Sequence, residues 1–178
     1  MNKSIIFLLA ILLSIFSSIA RNNENSPLPE CQIQKRKIKT VVIFGNNIVA
    51  HPVSPKLGWY VDWGMAASAR DSDFVHRLIS DIHQIDKFVD VRYQNISVFE
   101  NNYETFDFSQ LSAYRNADMI IVKISENVKP ETPVEKNFIL HYDQLIKYLA
   151  PTDSTVKIIV DGFWPSLVND IIKDYALK

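Results

Sequence analysis

The segment 38 to 45, IKTVVIFG, constrains the fold more than any other: a continuous β-branched, apolar run closed by a glycine. A strand with one wet face alternates apolar and polar residues, whereas one covered on both faces is apolar throughout, the pattern of a parallel sheet between helices. FVDVRYQNISVF at 88 to 99 reads as the second strand region, ADMIIVKIS at 117 to 125 as the third strand and TVKIIVDGFW at 155 to 164 as the fourth. Between them the apolar period becomes helical. Phe74, Val75, Leu78, Ile79, Ile82 and Ile85 recur over 71 to 85, and Phe138, Tyr142, Leu145 and Leu149 recur until Pro151 stops them. Thr132 as N-cap, Pro133 in the first turn and Glu135 three residues after the cap predict where this second helix begins. Pro165 opens a last helix carrying Val168, Ile171, Ile172 and Tyr175. Strands alternating with helices imply right-handed crossovers and a parallel sheet with helices on both faces, an α/β fold.

Composition narrows what such a domain does. At 178 residues, 47% hydrophobic and with a net charge of -1, the chain suits one globular domain and offers no electrostatic reason for a nucleic-acid partner. Its four glycines, Gly45, Gly58, Gly64 and Gly162, cannot form either glycine-rich phosphate loop, which disfavours nucleotide binding, and no cofactor is predicted. No His, Asp, Glu or Cys grouping has metal-ligand spacing, so no metal site is predicted.

Lys3, the apolar run from Ile5 to Phe16 and the small residues Ser18 and Ala20 read as a signal peptide over residues 1 to 20. The run of about 16 apolar-leaning residues falls short of the roughly 20 that span a bilayer. The expectation is a secreted or periplasmic protein with no stable membrane span after cleavage. Residues 21 to 37 read as a flexible lead-in containing the lone Cys31, too isolated for an internal disulfide. The globular domain is expected over 38 to 178.

Ligands of open parallel sheets sit at the carboxyl ends of the strands. That rule draws together Gly45 to Ile48, the loop from His51 to Ser68, Ser125 to Asn127, and Asp161 to Trp164, all polar or aromatic where the strands are apolar. Ordinary turn chemistry accounts for each stretch singly, but four convergent ends with three tryptophans make a pocket an even alternative.

VVIFGNNIVAHP resembles the first motif of the SGNH (GDSL-type) hydrolases, in a variant reading Gly-Asn-Ser-Ile. GWYVDWGMAAS at 58 to 68 and SENV at 125 to 128 are similar to stretches of a secreted bacterial subgroup with a tryptophan-rich loop after the first strand. The resemblance spans about 39 to 175. It implies a flavodoxin-like three-layer α/β/α fold and an ancestral ester hydrolysis, with carbohydrate deacetylation as the expected form.

Carried over, the resemblance places Asn47 where the serine nucleophile belongs, with Gly45 and Asn46 beside it, and Asn127 where an asparagine helps bind the oxyanion. An amide nitrogen is no nucleophile, because its lone pair is delocalised. Losing the serine costs on the order of a millionfold in turnover. Ser125 and Val128 stand where the family has glycine and aspartate, and its second oxyanion glycine has no clear counterpart around 99 to 102. The family's C-terminal Asp-x-x-His is not matched. The chain ends at Lys178 soon after the fourth strand, so the resemblance implies that the last strand and helix are lacking. The sole Asp-x-x-His, Asp73 to His76, reads as a helix-surface pair; His83 and His141 fit helix surfaces, and His51 is positioned to line a pocket.

Two readings from different classes follow, beside an unrelated α/β domain. One is an esterase-family protein inactive at Asn47. The other is a non-catalytic module for acetylated carbohydrate or another glycan. In it Trp59, Trp63 and Trp164 stack on sugar faces and Asn46, Asn47 and Asn127 bond hydroxyls, unless the tryptophans pack the loop against the sheet.

Overall fold

A computed structural model describes residues 37–65, 67–164 and 166–177. The predicted signal peptide, nearly all of the lead-in with Cys31, and Pro165 at the predicted start of the last helix lie outside the described residues. The chain divides into two units, 1–37 and 38–178, and the fold below is that of the second.

Strands β1 Thr40–Gly45, β2 Asp90–Asn95, β3 Met119–Lys123 and β4 Val156–Ile159 form one all-parallel sheet in the order β2-β1-β3-β4. The α-helices are α1 Phe74–Ile85, α2 Ser97–Asn102, α3 Phe138–Leu149 and α4 Leu167–Ala176. The apolar runs of β1 and β3 occupy the two central strands, and every residue from Val41 to Gly45 and from Met119 to Lys123 is buried. On one face Val42, Phe44, Ile120 and Val122 pack with Phe99 of α2, Phe138, Tyr142, Leu145 and Leu149 of α3, and Val168 and Ile172 of α4. On the other lies α1: the His76 ring packs against Tyr93, whose register partner Ile43 points to the face opposite Val42 and Phe44. Helices therefore cover both faces. Among the described residues no helix is long and apolar enough to cross a membrane.

The elements depart from expectation at their ends. The second strand stops at Asn95 rather than 99, because the Asn95 Oδ1 accepts the Ser97 N–H and turns the chain into α2, which buries Phe99 and Glu100. The helix predicted from Thr132 begins at Phe138. The Thr132 hydroxyl donates to the Lys129 carbonyl, and the Thr132 carbonyl accepts both the Tyr103 hydroxyl and the Lys136 N–H. Asn137, at φ 48, breaks any helical continuation from that turn. The fourth strand ends at Ile159, although the Val160 N–H still bonds the Val122 carbonyl, and residues 161 to 164 leave the sheet edge as a turn.

Candidate functional site at the carboxyl ends of the strands

The crossover from β1 runs to β2 on one side, and the chain then returns to β3 on the other, so the order reverses at β1. The crevice outside the carboxyl ends of β1 and β3 is the place such sheets offer a ligand. Gly45 closes β1 there because nothing larger fits: a Cβ would lie 2.2 Å from the Val49 Cγ2 and 2.7 Å from the Lys123 carbonyl oxygen.

Beyond it Asn46 is buried and fully engaged. Its Oδ1 accepts the Ile48 N–H at 3.1 Å, and its Nδ2 donates to the Glu100 Oε1 at 3.1 Å and the Glu126 Oε2 at 2.6 Å. Asn47, half-buried, accepts at Oδ1 from the Asn95 Nδ2 at 3.0 Å, and its carbonyl takes the Met65 N–H at 2.8 Å. The tryptophan-rich loop is thus pinned against the corner. Gly64 sits so close that a Cβ would lie 2.0 Å from the Ile48 carbonyl oxygen.

Glu100 of α2 gathers the ends of β1 and β3. Oε1 accepts from the Asn46 Nδ2, the Ser125 N–H at 2.7 Å and the Asn127 N–H at 3.4 Å, and Oε2 accepts the Asn127 Nδ2 at 2.6 Å. Burial of the carboxyl, 1% exposed, pushes its pKa up against the opposing pull of these donors. Lys123, 2% exposed, pairs with the Glu126 Oε1 and lies 4.3 Å from the centre of the Phe163 ring. Burial raises the Glu126 pKa, but the Lys123 charge and the hydrogen bonds from Lys123 and Asn46 outweigh it and hold the carboxyl below its ordinary value.

The aromatic residues divide between two places. Trp59 stands edge-on to His51 at 6.0 Å and to Trp63 at 6.3 Å; both tryptophans are half-buried, and the Trp63 Nε1 donates to the Ala67 carbonyl. The Trp59 Nε1 is buried with no partner among the described residues. His51 is buried and its Nδ1 donates to the Pro52 carbonyl at 2.6 Å. Trp164 is 70% exposed, packs against Phe163, and lines a cavity of about 300 Å³ with Ser125, Glu126, Ser166, Leu167 and Val168.

Asp73 and His76 are not a helix-surface pair. The Asp73 side chain is wholly buried; it caps α1 through the His76 N–H, accepts the Gly64 N–H at 3.0 Å and takes the His76 Nδ1 at 2.8 Å. One carboxylate therefore fastens both the helix and the tryptophan loop. The His83 Nε2 bonds the Val89 carbonyl, and the His141 ring lies against Tyr103. Among the described residues no histidine hydrogen-bonds Asn47, and no His, Cys, Asp or Glu group has the arrangement to hold a metal ion.

Glu100, Lys123 and Asn95 belong to this site although sequence reasoning did not single them out, and Glu126 was drawn to it only as part of the stretch from Ser125 to Asn127. Lys123 carried a signal: a charged residue inside a run buried on both faces requires a nearby carboxylate. Glu100 carried none, because the helix that turns it inward, Ser97–Asn102, begins inside the run expected to be strand through 99. No protein-family model matches the chain, and no curated protein or solved structure matches it either.

Proposed function

We propose that this chain is an SGNH-hydrolase-like domain of flavodoxin-like fold, ancestrally a secreted carbohydrate esterase, that no longer hydrolyses esters. The strand order β2-β1-β3-β4 with helices on both faces is that of a flavodoxin-like sheet through its fourth strand, which supports the fold reading.

The observation that carries the loss of chemistry is the hydrogen bond from Asn95 to the side chain of Asn47. Ester hydrolysis by this route needs a nucleophile, a base to take its proton and donors aimed at the oxyanion. Asn47 supplies no nucleophile, and its side chain serves to tie the end of β1 to the end of β2. The Asn127 amide, the candidate oxyanion donor, already gives one of its two N–H groups to Glu100. An oxyanion forming beside Asn127 would also meet that carboxyl, and the like charge would raise the barrier when Glu100 is ionised.

Hydrolysis of p-nitrophenyl acetate tests the reading: the expected rate equals the uncatalysed one, and turnover that disappears on Asn47→Ala overturns it. Secretion is part of the same reading, and the N-terminal sequence of the mature protein, expected to begin near Arg21, checks it.

A second reading, binding of a glycan without catalysis, is favoured by one observation. Trp164 is held exposed beside a carboxylate, the pairing of apolar ring and acceptor that sugar rings require.

A further inference from the structure

From the turn 162–164 we infer a binding site for a neutral, hydroxyl-rich glycan in the cavity between the end of β3 and the start of α4. The inference rests on the glycan-binding reading and moves its site: Trp164 and Glu126 form it, and the Trp59–Trp63 pair does not.

The turn is built to display its aromatic residue. Gly162 is packed so closely that a Cβ would lie 2.1 Å from the Ser125 Oγ and 2.6 Å from the Asn169 Oδ1. Asn169 of α4 clamps the turn from both sides, accepting the Gly162 N–H at 3.1 Å and donating its Nδ2 to the Trp164 carbonyl at 2.5 Å. The Glu126 Oε1 accepts the Phe163 N–H at 3.1 Å, and Lys123 holds the Phe163 ring from beneath. Three side chains thus fix a segment whose tryptophan stays 70% exposed. With its backbone fixed in this way, the segment needs little further ordering when a second flat apolar face stacks on the exposed indole.

The walls set the ligand class. The Glu126 carboxylate supplies acceptors. Leu167 and Val168, in the first turn of α4, line the cavity, and the N–H groups of a first helical turn have no intrahelical acceptor, so this wall is the source of donors. Ser166 accepts the Asn169 N–H at its hydroxyl. A free anion would suit the helix end but would lie against Glu126, whose charge is already matched by Lys123. A neutral polyol uses donor and acceptor together, and its C–H face suits Trp164. A cavity of about 300 Å³, at the small end for ligand sites, admits a short stretch of glycan and not an extended chain.

Calorimetric titration of the full chain with neutral oligosaccharides (cello-, malto- and chito-hexaose) tests the site, with alginate oligosaccharide and inorganic phosphate as anionic probes. Trp164→Ala is expected to weaken binding of the neutral ligand about 30-fold, the loss typical of a tryptophan anchor. Trp164→Phe should recover most of it, and Trp63→Phe should leave it unchanged. Because Trp164 is exposed, its variants should unfold at the wild-type urea midpoint. Binding that survives Trp164→Ala but is lost in Trp63→Phe overturns the cavity assignment and leaves the glycan reading standing. Tighter binding of alginate or phosphate than of any neutral probe overturns the ligand class. Failure of every probe to bind the wild-type chain at millimolar concentration overturns the glycan reading and the site together.

Discussion

Asn127 donates its side-chain amide to the Glu100 Oε2 at 2.6 Å while its backbone N–H reaches the Oε1 of the same carboxyl at 3.4 Å. One buried acid on α2 thereby holds the segment after β3, and through Asn46 it holds the segment after β1 as well.

Truncating that acid leaves several buried donors unpaired. Glu100→Ala is expected to lower stability by about 3 kcal/mol, the upper part of the range for buried unsatisfied groups. Urea unfolding followed by tryptophan fluorescence measures it. A loss under about 0.5 kcal/mol would mean that water replaces the carboxyl and that the strand ends do not depend on it.

The two carboxyls predict opposite pH dependences. Burial raises the Glu100 pKa above its ordinary value of 4.5, so its folded form favours the proton; its contribution is present below 4.5 and is lost as pH rises through the folded value. Glu126 is lowered from 4.5, so its contribution is present above 4.5 and is lost as pH falls through the folded value. The stability of wild type relative to Glu100→Gln should therefore fall with rising pH above 4.5. Relative to Glu126→Gln it should rise with pH up to 4.5. Urea midpoints across the acid range read both slopes, and slopes of the same sign would refute the assignment.

Restoring a hydroxyl at the corner should not restore chemistry. Asn47→Ser is expected to leave p-nitrophenyl acetate hydrolysis at the uncatalysed rate, since no histidine in the described residues bonds that position. It should also cost about 1 kcal/mol through the lost bond to Asn95. Burst release of nitrophenol by the variant would show that a base does serve the site.

The Tyr142 hydroxyl is buried between α3 and α4 without a partner among the described residues, its ring edge-on to Tyr175, and burial pushes its pKa far up. Removing an unpaired polar atom relieves a desolvation cost without opening a large void. Tyr142→Phe is expected to raise stability by up to about 1 kcal/mol, read as a higher urea midpoint. A clear loss would mean that the hydroxyl has a partner in solution.

Much of the architecture was legible along the chain because it rests on local period. The uninterrupted apolar runs at 41 to 44 and 119 to 122 read as strands covered on both faces, and the helical spacing of Val75, Leu78 and Ile82 marked the buried face of α1. Element ends were less legible. Thr132, Pro133 and Glu135 have the right types and spacing for a helix start, yet the Tyr103 hydroxyl, 29 residues away, engages the carbonyl at that turn and the helix waits until Phe138.

At the site, chemistry along the chain placed Gly45, Asn46, Asn47 and Asn127 at strand ends, where backbone geometry alone puts small and polar residues. What each side chain does there depended on partners 25 to 80 residues distant: Glu100 for Ser125, Glu126 for Asn46, Asn95 for Asn47. The tryptophans divide by the same logic, Trp59 and Trp63 packing with His51 while Trp164 is turned outward by Asn169 and Glu126. Residue period determines which face of an element is apolar, a property of one segment. Which donor meets which acceptor is decided when the sheet brings the ends of distant strands within 3 Å, and no single segment carries that information.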